Sequence, residues 1–341
     1  MSTEDPRGVG LLKERIALIP KLAASYYAGP PAALPKALQQ SNSLIVTGTG
    51  SSAAHAKFLC YLLNTNGNSR AEFRPLSAFL SSPQASDKQK LLVVFSQGLS
   101  PNARLAIERH ANFSGLVVFT AVTANGNQAL HDKLLQKQST IVEYPLESEY
   151  EILLRVVGPF MGYLAALRFF ESFTGTAPRK LLPLFSVLEA ALEKGRSLFR
   201  ELKQEKNLGQ FQIVTSYPLS DFSENLAFKI LEGTFNPAPA VWDLLHFAHG
   251  PFQLLNQAPQ SVVYCGQQHD SAEAVAALRE MTASAKLKLI DLRSEFSSVE
   301  ALLEYEMIFN GLVLEALKTF QLDQRNWPGK GLDSPIYRLG S

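Results

Sequence analysis

The chain has 341 residues, 46% hydrophobic and 18% charged, with 32 Lys and Arg against 31 Asp and Glu. That length suits two α/β domains, and the composition describes a filled core rather than a disordered or fibrous chain. A formal charge of +1 supplies no global field for nucleic acid or an anionic membrane, and no basic run is interleaved with aromatics.

In chain order, residues 1–40 read as an N-terminal helical arm: a polar start (STEDPRG), then helix over 10–40 interrupted at Gly29-Pro30-Pro31. The start lacks the apolar core of a signal peptide. The longest apolar stretch, around Val156–Phe170, is broken by Gly158, Pro159 and Arg168 and is too short to span a membrane. A cytoplasmic protein without a membrane partner is expected. Strands are predicted near 43–48, 71–75, 91–96, 115–121 and 140–144, with helices between most of them. A long helix follows from Tyr150 to Phe173, ending in the turn Thr174–Pro178.

The alternation then starts again. Helix 181–206 leads to a strand at 211–215 and a helix at 221–233. Strands near 239–242, 261–265 and 287–291 follow, then a helix at 299–320. Such alternation predicts two tandem α/β domains with doubly wound, flavodoxin-like parallel sheets flanked by helices, at 41–178 and 179–322. They share an order of elements without a residue-by-residue repeat. The tail 323–341, rich in Gly and Pro and carrying Trp327 and Tyr337, reads as a segment that packs on a partner or over a site. Cys60 and Cys265 lie far apart in apolar segments, as small buried hydrophobes of a reducing compartment do.

Two segments carry the strongest chemical signal, Leu44–Ala54 (LIVTGTGSSAA) and Leu91–Asn102 (LLVVFSQGLSPN). Each is a buried-strand run ending in Gly and hydroxyl residues before a helix-like stretch. That layout aims backbone N–H groups and the hydroxyls of Thr49, Ser51, Ser52, Ser96 and Ser100 at one point beside helix N-termini, a setting that suits a phosphate. Gly-Ser loops also end strands for local reasons, because Gly turns tightly and Ser caps helices. Two such loops in one strand–helix–strand frame favour the phosphate. The Lys-Ser/Thr ending of a nucleotide-binding P-loop is absent, and Ala53 stands where G-x-G-x-x-G needs its last Gly, so a phosphorylated small molecule is expected rather than a nucleotide. No cofactor and no metal are called for.

Proton chemistry concentrates between Glu224 and Gly250. Lys229 and Glu232, three apart, share a helix face with Asn225. An ordinary surface ion pair is the local alternative, and the apolar surroundings Leu226, Phe228, Ile230 and Leu231 weigh against it. His246 and His249 are spaced for a metal pair, but no third ligand is suitably placed. His249, just before Gly250-Pro251, sits at a chain reversal that can hold an imidazole toward a substrate. A Glu beside C1 and C2 of a sugar can carry a proton between them, and a His can protonate the ring oxygen. A Lys can stabilise an enolate or form a Schiff base. These are the parts of an aldose–ketose isomerase.

Gly48-Thr49-Gly50-Ser51-Ser52, Ser96-Gln97-Gly98-Leu99-Ser100-Pro101, Ala227-Phe228-Lys229-Ile230-Leu231-Glu232 and His249-Gly250-Pro251 together resemble double sugar-isomerase-domain (SIS) proteins. That family includes the isomerase half of glutamine–fructose-6-phosphate amidotransferase and stand-alone phosphosugar isomerases, deaminases and deglycases. The resemblance runs from about residue 10 to 341. With no Cys at position 2 and no glutaminase domain expected, ammonia would not come from glutamine. The resemblance implies phosphate contacts from Gly50, Ser51, Ser52, Ser96, Gln97 and Ser100. It implies catalytic Lys229 and Glu232, and a His249 that reaches the site of a neighbouring subunit in a homodimer. It also implies a C-terminal tail closing over the sugar around Asp333–Arg338. The chain departs from the pattern at the shortened Ser96-Gln97-Gly98 loop and at Val156-Val157-Gly158, which replaces a Ser-Thr-Lys segment. It departs again at Asn225, where an acidic residue is usual, and in lacking a Leu-Ala-Lys ending. The expected function is isomerisation or deamination of a hexose or hexosamine 6-phosphate by proton transfer between C1 and C2. The alternatives are a sugar-phosphate-binding regulatory protein without catalysis and, less well matched, a nucleotide-dependent α/β enzyme.

Overall fold

The computed structural model describes residues 7–30, 34–66, 69–80, 87–122, 128–144, 146, 149–255 and 260–339. Residues 1–6 of the polar start and Pro31 of the Gly29-Pro30-Pro31 interruption lie outside them. The chain divides into two compact units. One comprises residues 21–149, 157–180 and 329–341, the other residues 1–20, 150–156 and 181–328.

Helix α1 (Val9–Ala28) precedes the first sheet. In the first unit, β1 (Ser43–Thr47) leads into α2 (Ser51–Asn66) and β2 (Arg70–Phe73). Strand β3 (Asp87–Phe95), α3 (Pro101–Glu108), β4 (Phe113–Thr120), α4 (Gln128–Gln136), β5 (Thr140–Glu143) and α5 (Val157–Thr174) follow. The strands form one parallel sheet in the order β2-β1-β3-β4-β5, with Leu44 opposite Leu91 and Leu92 opposite Leu116. Continuous apolar runs such as Leu44-Ile45-Val46 and Leu91–Val94 are buried because helices cover both faces of a parallel sheet. Between α2 and α5, His55 is a satisfied core residue. Its Nε2 lies 2.8 Å from the Pro159 carbonyl oxygen, and a Cβ at Gly162 would come within 2.2 Å of its ring.

The second unit repeats the plan. Helix α6 (Leu182–Leu202), β6 (Phe211–Thr215), α7 (Glu224–Thr234), β7 (Val241–Asp243) and α8 (Leu244–Ala248) come first. Strand β8 (Ser261–Cys265), α9 (Ala272–Ser284), β9 (Lys288–Asp291) and α10 (Ser298–Phe320) complete it. This sheet is also parallel, in the order β7-β6-β8-β9. In both sheets the first strand sits between the second and the third. The chain therefore leaves β1 and β3, or β6 and β8, in opposite directions, and a crevice opens beyond their carboxyl ends.

Three helix boundaries differ from expectation, and the simplest is that the helix expected over 181–206 ends at Leu202. The helix expected from Tyr150 begins instead at Val157, because the Glu149 carboxylate accepts the Val157 and Gly158 amides at 2.9 and 2.8 Å, while Leu153 and Leu154 donate to Gln324. The helix expected over 221–233 is divided at Ser223 into a short turn, Leu219–Phe222, and α7. Cys60 and Cys265 are buried as expected, and burial pushes the Cys60 thiol up to about 12. Among the described residues no helix is long and apolar enough to cross a membrane.

Helices α6 and α10 cross closely at their glycines. A Cβ on Gly195 would lie 2.0 Å from the Ile308 carbonyl oxygen, and one on Gly311 would lie 2.4 Å from that of Leu192. Gly195→Ala must spread two backbones and is expected to cost roughly 1–3 kcal/mol in urea unfolding. Glu189→Ala, at an exposed position of α6, should stay within about 0.5 kcal/mol of wild type. Equal stability of the two variants would refute this crossing.

Candidate functional site

In the first unit the expected phosphate residues occupy the carboxyl ends of neighbouring strands. Gly48 is required because a Cβ there would meet the Ser52 carbonyl oxygen at 2.4 Å, and Gly50 takes φ +59° beside open space. The loop delivers Ser51 and Ser52 to the first turn of α2. Ser52 is buried and Ser51 half-buried, and among the described residues neither hydroxyl has a hydrogen-bond partner. In the second loop, Ser96 Oγ accepts the Ser100 amide at 3.1 Å, and Ser100 Oγ caps α3 by accepting the Ala103 amide at 3.4 Å. Accepting leaves each hydroxyl proton available to a ligand oxygen. Leu99 holds the turn at φ +50° with its side chain buried. Neither α2 nor α3 carries an acidic residue in its own first turn, so no charge of the helix itself offsets its positive end.

Gln97 differs from its neighbours. Its backbone carbonyl accepts from Thr120 Oγ1 and the Ala121 amide at 3.0 and 2.9 Å, and its side-chain nitrogen donates to Glu149 at 3.3 Å. The amide lies over Gly158, where a Cβ would come within 2.0 Å of its oxygen. Gln97 thus ties the second loop to the start of α5. The departure at Val156-Val157-Gly158 acquires a physical reason here, since Gly at 158 makes room for Gln97.

The corresponding crevice of the second unit is filled by the chain itself. Asp270, after β8, accepts from the Ser216 hydroxyl, from the Tyr264 hydroxyl at 2.5 Å and from the Gln267 amide at 2.6 Å. Gln267, also buried, donates to Ser216 Oγ at 2.9 Å and to the Tyr217 carbonyl at 3.0 Å. A carboxylate of the protein thus takes the donors that a ligand anion would use.

The proton-chemistry residues lie in this second unit. Lys229 does not pair with Glu232. It is 1% exposed, 3.0 Å from the fully buried Glu306 of α10, and it also donates to Asn310. Asn225, at the position where an acidic residue is usual, donates to both oxygens of Glu306 at 2.8 and 3.1 Å. The counter-charge for Lys229 therefore comes from another helix. Glu306 was missed in the sequence, where α10 also carries Glu300, Glu304 and Glu315 and nothing local singles it out.

Glu232 is half-buried. Burial raises its carboxyl above the usual range, and the nearby charges of Arg155 and Lys229 act in the opposite sense. Such a carboxyl exchanges protons closer to neutrality than an exposed one. His249 is exposed at the end of α8, and the reversal after it rests on Gly250 at φ +128°. His246 faces Trp242 edge-on, with ring centroids 5.7 Å apart. Among the described residues no hydrogen bond, ion pair or ring contact joins His249 to Lys229 or Glu232, and no three His, Cys, Asp or Glu side chains cluster to hold a metal.

Removing one member of a buried ion pair leaves the other charged in a dry setting. Lys229→Met should therefore destabilise the protein by about 3–5 kcal/mol in chemical unfolding. Lys229→Met with Glu306→Gln should recover much of that loss. If the double variant is no more stable than the single one, the pairing is refuted.

No protein-family profile matches the chain, and no curated protein sequence does. Solved structures do match. The C-terminal domain of glucosamine-fructose-6-phosphate aminotransferase from Francisella tularensis superposes with a TM-score of 0.73 at 12% identity, over 92% of this chain and 98% of that one. Glucosamine-6-phosphate deaminase from Thermotoga maritima gives 0.72 at 13% identity, over 94% and 97%. Tagatose-6-phosphate ketose/aldose isomerase from Escherichia coli gives 0.70 at 16% identity, over 94% and 98%. With its two parallel sheets and flanking helices, the chain has the fold of these sugar-isomerase-type structures.

Proposed function

We propose that the protein is a phosphosugar isomerase acting on a hexose or hexosamine 6-phosphate. The observation that carries this reading is the contrast between two equivalent crevices. Asp270 fills one, whereas the other offers the hydroxyls of Ser51 and Ser52, without partners among the described residues, and two helix ends with no acidic residue in their own first turns. A dianionic phosphate is the group that such donors bind best. The solved structures that share the fold bear the names of enzymes of phosphosugars, which supports the same substrate class.

In this reading Ser51, Ser52, Ser96 and Ser100 hold the phosphate, and Gln97 fixes the second loop. His249, supplied by the partner copy of a homodimer, protonates the ring oxygen and opens the sugar. Glu232 then takes the proton from C2 of the open aldose, the C–H electron pair forms the C1–C2 double bond of an enediolate, and the carbonyl electrons move to O1. The O2 proton passes to O1, and return of the carried proton to C1 as the O2 electrons re-form the carbonyl at C2 gives the ketose. Lys229, locked to Glu306 and Asn310, contributes positive charge rather than a Schiff base. That same burial favours the second reading, a protein that grips sugar phosphates and senses them without turnover.

Isotope exchange separates the two. A panel of hexose and hexosamine 6-phosphates in deuterium oxide should show deuterium at C1 or C2 of one member. Glu232→Gln should lower that exchange by 10²-fold or more, since positioned acid–base groups contribute about 10²–10⁴-fold, and should leave binding intact. Binding without exchange across the panel would replace the isomerase by the sensor. Ser52→Ala and Ser96→Ala should raise KM while kcat stays within about tenfold, because the phosphate is gripped equally in ground and transition states. Unchanged KM in both variants would refute the phosphate assignment.

A further inference from the structure

Gln324 is fully buried and joins three stretches of the second unit. Its backbone amide donates to the Arg7 carbonyl at 3.0 Å, and its backbone carbonyl accepts the Leu153 amide at 3.0 Å. Its side-chain oxygen accepts the Leu154 amide at 2.9 Å, and its side-chain nitrogen donates to the Glu232 and Gly233 carbonyls at 2.9 and 3.3 Å. One residue therefore fastens the stretch before Arg155 to the turn of α7 that bears Glu232. Gly233 makes the approach close, since a Cβ there would lie 3.2 Å from Leu154 and 2.2 Å from Val313.

Arg155 follows the clamped Leu154. Its guanidinium carbon lies 4.6 Å from the centroid of the Tyr150 ring, and its Nε is buried with no hydrogen-bond partner among the described residues. A buried donor left unpaired keeps its desolvation cost uncompensated, so its retention calls for an acceptor. The charged groups facing Glu232 are Arg155 from the clamped stretch and Lys229 from its own helix. Glu306 of α10 already neutralises Lys229, and Gln324 presents an uncharged amide. Among the described residues Arg155 is left as the cation beside the carboxylate that no other carboxylate pairs. It lies three residues before Gly158, where the usual segment has Lys.

We propose that Arg155, held beside Glu232 by the Gln324 clamp, is the electrostatic partner of that carboxylate and offers its unpaired Nε–H to the sugar oxygen that gains negative charge as the proton moves. The donor half of this inference rests on the isomerase reading; the pairing with Glu232 does not. The guanidinium favours the charged carboxylate before the proton is taken and the enediolate oxygen afterwards.

The test uses the full chain with carboxyl-¹³C glutamate, the Glu232 signal being identified by its loss in Glu232→Gln. Arg155→Met should move the Glu232 titration midpoint upward, and Arg155→Lys should hold it near the wild-type position. With the hexose 6-phosphate that wild type exchanges fastest, Arg155→Met should lose about 10²-fold in exchange rate, the usual cost of one transition-state donor, with KM changed only a few-fold. Arg155→Lys should recover part of that loss, which a packing defect would not allow. An unmoved Glu232 midpoint in Arg155→Met overturns the pairing, and an unchanged exchange rate overturns the donor role. A wild-type chain that exchanges no proton with any sugar phosphate refutes the isomerase reading and the donor role with it, while the titration still decides the pairing.

Discussion

A parallel sheet covered by helices leaves unpaired amides and positive helix ends beyond the carboxyl ends of its strands, and they require anions or water. This chain meets that requirement in three ways. At the start of α5 the Glu149 carboxylate accepts the free amides. Beyond β6 and β8, Asp270 collects a hydroxyl from each of Ser216 and Tyr264 and the Gln267 amide. Beyond β1 and β3 neither α2 nor α3 carries an acidic residue in its own first turn. The difference between a self-filled crevice and an open one turns a repeated architecture into one functional assignment.

The second unit distributes charge by the same logic. Lys229 is too deeply buried to remain charged alone, and Glu306 with Asn225 and Asn310 makes its ammonium tolerable. That network consumes the lysine's reach, so its influence on Glu232 is through space. Glu232 then feels burial against two cations, one of them already neutralised. Its proton affinity is set by the balance, and the Gln324 clamp fixes the geometry in which the balance operates.

The strands were legible because both faces of a parallel strand are covered, so that LIVT and LLVVF stand out as unbroken apolar runs. The hydroxyl loops were legible because Gly and Ser at strand ends carry local conformational meaning. Contacts distant in sequence were not. Nothing local links Asn225 or Lys229 to Glu306, 81 residues after Asn225, or Leu154 to Gln324, 170 residues away. The pairing of Lys229 with Glu232, reasonable from i,i+3 spacing, gives way to a carboxylate from a neighbouring helix. The start of α5 was misplaced for a related reason: the apolar pattern of 150–156 is helix-compatible, but its amides are engaged elsewhere.

Calorimetric titration with a hexose 6-phosphate, set against the same sugar without its phosphate, tests the central claim most directly. The account predicts one site per chain, with the phosphate required for binding, because one crevice is open and the other holds Asp270. Two phosphate-dependent sites per chain, or equal binding of the unphosphorylated sugar, would contradict it.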